Sequence, residues 1–227
     1  MNQRNARHSG QELDEKVPQD EIPQVYDKLA SVYDIWGRLT ESRARARAIE
    51  LAAIEDGKAI LEVAVGTGLA FHEIVKRNPH GQNLGIDLSA GMLAKARSRM
   101  SQVSEANYRL EVGTAFDLPA RSDSIDILVN NYMFDLIPYA DMDQVLDEFR
   151  RVLKIDGRLI LVNMARGETL ASKLYESIYR ISPKAMGGCR GVQMVGRLRQ
   201  HRFTVEAREY HQQFLFPSEV IVARKET

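Results

Sequence analysis

The stretch AILEVAVGTGLAFHEI, residues 59–74, runs from an apolar segment through glycines at 66 and 68 into a helix-like pattern. Gly66 and Gly68 place no Cβ between the backbone and a ligand, and a helix beginning near Leu69 points its N–H groups and dipole at whatever sits there. Asp87, in NLGIDLS, closes the next apolar segment. A carboxylate in that place can hold the hydroxyls of a ribose, as in dinucleotide sites where it lies about 20 residues past the glycine turn. The combination points to a nucleoside cofactor. It does not meet the dinucleotide fingerprint G-x-G-x-x-G: counted from Gly66, the third glycine falls on Phe71, a bulky ring where close helix packing needs glycine. Ala64, Gly66 and Gly68 instead supply three small residues at alternate positions. Each feature also has a plainer explanation, since a Gly-Thr-Gly turn can be a simple connection and Asp87-Leu88-Ser89 an ordinary helix cap.

Other residues carry weaker chemistry. His72 falls in the first turns of the helix after the glycines, but a lone helical histidine is more often solvated or hydrogen-bonded than a base. Cys189 stands between Gly188 and Arg190, where a close guanidinium would lower a thiol pKa; most single cysteines are inert, and a structural role is expected. A lone cysteine excludes an internal disulfide and a cysteine-based zinc site, and no metal is expected. Tyr132, Met133 and Phe134 follow the fourth predicted strand and either line an acceptor pocket or pack in the core, with position favouring the pocket for at least one. Trp36, Tyr175 and Tyr179 offer the same choice between a cavity wall and helical packing. Arg43, Arg45 and Arg47 alternate around a helix and read as a solvated face, with anionic-lipid contact as the lesser reading.

From residue 58 onward, short apolar runs alternate with longer amphipathic stretches, the pattern of a parallel sheet with crossover helices. It predicts strands near 59–64, 83–87, 108–112, 125–130 and 158–163, and helices near 69–77, 90–103 and 141–153. Upstream, Val25, Leu29, Val32, Tyr33 and Trp36 recur at helical spacing, and Thr40 could cap a second helix running to about Ile54 before the EDG stop. Asp156-Gly157 reads as the turn between the last of the predicted helices and the strand after it. Beyond come a helical stretch ETLASKLYESIYRI, the loop SPKAMGGCRG and a helix ending near Gln200. FTVEAREY and QFLFPSEVIVAR are β-rich and able to pair antiparallel at the sheet edge.

The chain of 227 residues fits one domain with an N-terminal extension. With 31 basic and 31 acidic residues it lacks the basic excess expected of a protein whose main task is gripping nucleic acid. Residues 1–21 are polar and expected to stay mobile. The N-terminus shows no apolar signal-peptide core, and no apolar run approaches the roughly 20 residues of a membrane span. A cytoplasmic address is expected, with peripheral membrane contact still compatible.

The segments LEVAVGTG, GIDLSAGMLAKAR, FDLPARSDSIDILVNNYMF and FRRVLKIDGRLILVN, taken together over residues 25–165, resemble class I S-adenosylmethionine-dependent methyltransferases. Within that superfamily the chain is most similar to the branch of ubiquinone and menaquinone C-methyltransferases and phospholipid N-methyltransferases, to which YDKLASVYD also bears likeness. The resemblance implies a Rossmann-like α/β fold: a seven-stranded, mostly parallel sheet with helices on both faces and an antiparallel C-terminal hairpin. It divides residues 22–227 into lid helices (22–56), a cofactor core (57–165), a helical acceptor region (166–200) and terminal strands (201–227). It implies that Glu62 lies near the methionine amino group, that Ala64, Gly66 and Gly68 form the turn beneath the methionine and ribose, and that Asp87 takes the ribose hydroxyls. Leu88 and Met92 would line the adenine, with Ala115 and Phe116 on its other face. Asn130 and Asn131 would border the reactive methyl, and Tyr26 and Tyr33 would close the site from above. Acceptor contacts are expected from Trp36, Asn131, Tyr132 and Tyr175. Two positions depart from the family: Ala64 replaces a frequent glycine, and Thr114 stands where many members carry an aspartate that binds the adenine amino group.

The function this implies is methyl transfer from S-adenosylmethionine to a small or lipid-like acceptor, a quinone precursor being favoured, with no catalytic base named. Phospholipid or other amine methylation and noncatalytic adenosyl-ligand binding are the alternatives. Phe71 argues against an NAD-dependent oxidoreductase. NNYM lacks the Asn/Asp-Pro-Pro-Tyr motif of enzymes that methylate base amino groups.

Overall fold

The computed structural model describes residues 40–103, 105–165, 190–213 and 216–227. Their strands form one seven-stranded sheet in the order β3-β2-β1-β4-β5-β7-β6. Strands β1 (Ala59–Val63), β2 (Gln82–Asp87), β3 (Tyr108–Val112), β4 (Ile125–Asn131) and β5 (Leu153–Met164) run parallel. Strands buried on both faces need apolar runs, and β1 (Ala59–Leu61), β4 (Ile127–Val129) and β5 (Leu159–Val162) carry them. The C-terminal strands β6 (Phe203–Gln213) and β7 (Phe216–Lys225) pair antiparallel, as expected. Their order is informative: β7 inserts beside β5 and is buried nearly throughout, while β6 takes the edge and alternates in exposure.

Helices cover both faces. The first, α1 (Ser42–Leu51), packs Ala44, Ala48 and Ile49 on one face beside Ala70 and Ile74 of α2 (Leu69–Arg77). Phe71 and Val75 of α2 meet Ala96 and Met100 of α3 (Ala90–Met100). The opposite face holds α4 (Met142–Val152) and α5 (Val195–Gln200), with Val145, Leu146, Phe149 and Leu198 in the core.

Several boundaries differ from the sequence pattern. Glu41, not Thr40, occupies the N-cap of α1, and it makes no side-chain cap bond; its carboxylate instead faces Arg45 at 3.8 Å. The helix stops at Leu51 because Ala53 turns to φ +45°. Strand β5 begins at Leu153, directly after α4, and Asp156-Gly157 lies within it. The bridge Ile125↔Leu153 precedes the turn and Ile127↔Arg158 follows it, so a pattern that reads as a strand start is an irregularity inside a longer strand.

Phe71 explains both a fingerprint the chain lacks and a glycine it keeps. Its ring is buried, edge-on to Tyr108 at 6.3 Å. Gly85 makes room for it: a Cβ there would lie 2.7 Å from Leu110, 2.8 Å from Val65 and 3.0 Å from Phe71. Gly68 serves a second close approach. It caps α2 at φ +80°, and a Cβ would stand 3.0 Å from that of Ala96 on α3. Gly68→Ala therefore combines a left-handed strain with a clash, and urea unfolding should show a loss of about 1–3 kcal/mol; an unchanged midpoint would mean that α2 and α3 are not held this closely.

Candidate active site

The sheet order reverses between β1 and β4, and the crevice beyond the carboxyl ends of those strands is where open α/β sheets take ligands. A cavity of about 910 Å³, open solvent at its mouth included, lies there. Four segments wall it: Val63, Ala64 and Gly66 after β1; Ile86 to Ser89 with Met92; Gly113 to Phe116 after β3; and Asn131 to Met133 with Leu136 and Ile137 after β4.

Asp87 orders three of these segments. Its Oδ2 accepts the Gly66 N–H at 2.7 Å and its Oδ1 the Ser89 N–H at 2.8 Å, while its main-chain carbonyl accepts Gly113 N–H at 3.1 Å. The helix-cap reading also holds, carried by Ser89, whose Oγ accepts Met92 N–H at 3.0 Å at the start of α3. The first turn curls through left-handed backbone at Ala64 (φ +61°) and Gly66 (φ +57°). What distinguishes alanine from glycine at position 64 is thus backbone strain rather than size.

Leu88 is an apolar side chain 51% exposed on the rim of the cavity. Met92 and Ala115 are buried in the wall, and Phe116 is partly covered. Thr114 also lines the cavity, its Oγ1 accepting Phe116 N–H at 3.3 Å. Of the residues singled out in the sequence, Ala64, Gly66, Asp87, Leu88, Met92, Ala115, Phe116, Asn131 and Tyr132 share this cavity. Glu62 lies behind it and contacts Asn131, whose Nδ2 donates to Glu62 Oε1 at 3.2 Å. Gly68 serves helix packing, and Asn130 sits off the cavity wall, donating to the Val63 carbonyl at 2.9 Å. Tyr26, Tyr33, Trp36, Tyr175, Tyr179 and Cys189 lie outside the described residues.

The aromatic cluster after β4 divides. Tyr132 touches the cavity at φ +52°, yet its ring packs edge-on to Phe216 at 5.8 Å and its hydroxyl pairs with Ser218 Oγ at 2.7 Å. Burial holds that phenol well above its ordinary range, so it is not an available base. Phe134 belongs to the core against Phe149, whereas Met133 lines the cavity. His72 stands away from the cavity beside Glu73 at 3.1 Å. The arginine series is largely paired: Arg47 with Glu209 and Glu50, Arg45 with Glu41.

Two residues to which the sequence assigned no place in the site lie buried behind the wall. Asp135 is fully buried in the single turn Phe134–Leu136, its Oδ2 accepting Met164 N–H at 3.0 Å. Arg190, 1% exposed, donates to the carbonyls of Asp135 and Ile137 and covers the Tyr139 ring at 4.5 Å. In sequence the only trace of this was a charge inside the apolar run YMFDLIP.

Buried polar atoms without partners gather at this end of the sheet. Among the described residues they are Glu62 Oε2, Asn130 Oδ1, Asn131 Oδ1, Asp135 Oδ1, both amide atoms of Asn163, and Arg190 Nε. All lie at the carboxyl ends of β1, β4 and β5, in the turn that follows β4, or against it. Such atoms are costly, and their concentration marks where a polar ligand or water completes the structure.

Residues 60–157 match the family model described as a methyltransferase domain. Over 170 residues the chain is 28% identical to the demethylmenaquinone methyltransferase of Thermotoga maritima, a match spanning 72% of this chain and 71% of that one. The demethylmenaquinone methyltransferase of Lactobacillus johnsonii is 28% identical over 178 residues, 75% and 72% of the two chains. The chain carries a methyltransferase domain over residues 60–157 and is similar to S-adenosylmethionine-dependent methyltransferases. The fold by itself does not name a reaction: this methyltransferase also superposes on the [4+2]-cyclase SpnF with a TM-score of 0.74, at 17% identity over 95% of this chain and 100% of that one.

The residues present suit the cofactor. The crevice offers an oriented carboxylate, apolar walls and the unpartnered Oδ1 of Asn131, with the unpartnered Oε2 of Glu62 next to Asn131. Burial pushes the carboxyls of Glu62 and Asp135 up to about 8. A folded-state pKa raised above the unfolded one favours the protonated native state, so this stability is whole below about 4 and is lost as pH rises through about 8. The melting temperature of the cofactor-free methyltransferase should therefore show a decline between pH 5 and 8 that Glu62→Gln and Asp135→Asn each reduce. Variants that track the wild type across this window would contradict these assignments.

Proposed function

We propose that the methyltransferase places S-adenosylmethionine across the β1–β4 crevice and methylates a ring carbon of a small, lipid-like quinone precursor. The similarity to demethylmenaquinone methyltransferases over 72% of the chain carries this reading. The cavity supports it, since Val63, Ile86, Met133, Leu136 and Ile137 offer an apolar lining suited to a fused ring.

In this arrangement the Asp87 carboxylate takes the ribose hydroxyls. A carboxylate has about four lone-pair positions, and fixing two with backbone donors decides where the others point. Leu88, Met92, Ala115 and Phe116 sandwich the adenine, with Thr114 beside it. Ala64 and Gly66 pass beneath the ribose and methionine, and Glu62 receives the amino end. Asn131 borders the transfer point.

The bound cofactor supplies a methyl group activated by its sulfonium. The protein's share is alignment and exclusion of water: Met133, Leu136 and Ile137 hold the acceptor against the transfer point, and Arg190 fixes the backbone of that wall. A hydroxyl on the acceptor ring, ionised, makes the neighbouring carbon nucleophilic. Neither Tyr132, engaged with Ser218, nor His72, outside the cavity, is placed to take that proton.

The test is incubation with labelled S-adenosylmethionine and a reduced, short-chain demethylmenaquinone. The reading expects a ring-methylated product in the organic phase, identified by mass spectrometry. Label found instead on the amine of phosphatidylethanolamine, with the quinone precursor untouched, would replace it with amine methylation. Asp87→Ala should weaken S-adenosylmethionine binding at least tenfold, about 1.4 kcal/mol, in calorimetry; unchanged affinity would put the ribose elsewhere.

A further inference from the structure

The cavity has two halves, and different residues hold them. Asp87 ties together the turns after β1, β2 and β3 through Gly66, Ser89 and Gly113. The wall after β4 is built otherwise. Main-chain pairing with β5 ends at Tyr132, whose N–H reaches the Val162 carbonyl at 2.7 Å. The single turn Phe134–Leu136 then closes two bonds of its own, Leu136 N–H to Met133 O at 2.9 Å and Ile137 N–H to Phe134 O at 3.4 Å. Neither uses the carbonyls of Asp135 and Ile137, and Pro138 brings no N–H with which to extend the pairing.

Arg190 fills those two places. Its main-chain N–H and its Nη1 both donate to the Asp135 carbonyl, at 3.3 and 3.2 Å, and its Nη2 donates to the Ile137 carbonyl. The guanidinium lies over the Tyr139 ring at 4.5 Å, so one side chain meets residues 135, 137 and 139. Met164 anchors the arrangement to the sheet: its N–H donates to Asp135 Oδ2 at 3.0 Å, and its carbonyl accepts Val192 N–H at 3.1 Å. Leu136 and Ile137, which this clamp carries, line the cavity. The choice of residue is informative. A guanidinium only 1% exposed is costly to bury, and apolar packing would secure a turn at lower cost. What arginine adds is a planar fork that meets two carbonyls at a fixed separation. That serves position more than stability.

We infer that Arg190 is a positioning residue for the acceptor: by fixing the backbone of Leu136 and Ile137 it sets acceptor affinity, and it leaves cofactor affinity to the Asp87 side. The inference rests on the proposal that this wall receives the acceptor. The two clamps grip different segments, and effects at sites without shared partners are close to independent.

Steady-state kinetics with a reduced, short-chain demethylmenaquinone, beside calorimetry with S-adenosylhomocysteine, tests this on the full chain. Arg190→Met keeps an apolar stem and removes the fork. Its acceptor KM is expected to rise about tenfold, with the S-adenosylhomocysteine Kd within about twofold of wild type. Arg190→Lys, a compact charge that reaches one carbonyl, should raise that KM about threefold; it decides the matter if Arg190→Met does not fold. A partly unfolded population lowers kcat without moving KM. An unchanged acceptor KM, whatever happens to kcat, or a joint loss of acceptor and cofactor affinity overturns the inference and leaves the acceptor reading standing. Wild-type protein that binds S-adenosylhomocysteine yet leaves the quinone precursor unmethylated removes the acceptor reading and the inference with it.

Discussion

One side chain ties together most of what surrounds the crevice. The Asp87 carboxylate receives backbone N–H groups from the turn after β1 and the turn after β2, and its carbonyl receives one from the turn after β3. Hydrogen bonds to a charged acceptor are worth roughly 1.5–3 kcal/mol each and neutral ones about 0.5–1.5, so two carboxylate bonds and one main-chain bond let a single residue at the end of β2 hold three loops. The left-handed path through Ala64 and Gly66 presents Gly66 N–H to that carboxylate, and the cavity takes its shape from the result. Function follows from the same geometry, because a carboxylate whose position is fixed by backbone donors is preorganised for hydroxyl groups.

Buried polar residues behave in opposite ways at the two ends of the sheet. At the amino ends, Asn78 and Asn83 are completely buried or nearly so and extensively bonded: Asn78 Nδ2 to Lys58 O and Asn83 Oδ1, Asn83 Nδ2 to the carbonyls of Asn78 and Asn107. At the carboxyl ends, Asn130 and Asn163 are covered just as well and Asn131 is partly covered, yet each keeps an amide atom without a partner. Residue type is the same, so the difference is positional. The amino ends serve stability, and the carboxyl ends retain polar capacity that a ligand can use. Asp135 and Arg190 extend that polar layer behind the wall formed by Leu136 and Ile137.

Much of this was legible in the sequence, for identifiable reasons. Parallel strands buried on both faces need short apolar runs, so β1, β4 and β5 announce themselves. The glycine turn and Asp87 follow from what a nucleoside requires of a backbone and a carboxylate. Other features depend on information that no local pattern holds. Whether Tyr132, Met133 or Phe134 faces the cavity depends on how the chain twists at φ +52° after β4. The Asp135–Arg190 contact joins residues 55 apart, and a single aspartate in an apolar run does not say what it will meet. Asp156-Gly157 marks a turn correctly but not that the strand has already begun. Gly85 gives no local sign that it makes room for a phenylalanine fourteen residues before it.

The central claim is that the crevice organised by Asp87 is the cofactor site, and the most direct measurement is the crystal structure of the complex with S-adenosylhomocysteine. The account predicts ribose hydroxyls on the Asp87 carboxylate, adenine between Leu88 and Phe116, and the amino end against Glu62. A nucleoside bound elsewhere, or one lying in the crevice with its ribose away from Asp87, would contradict it.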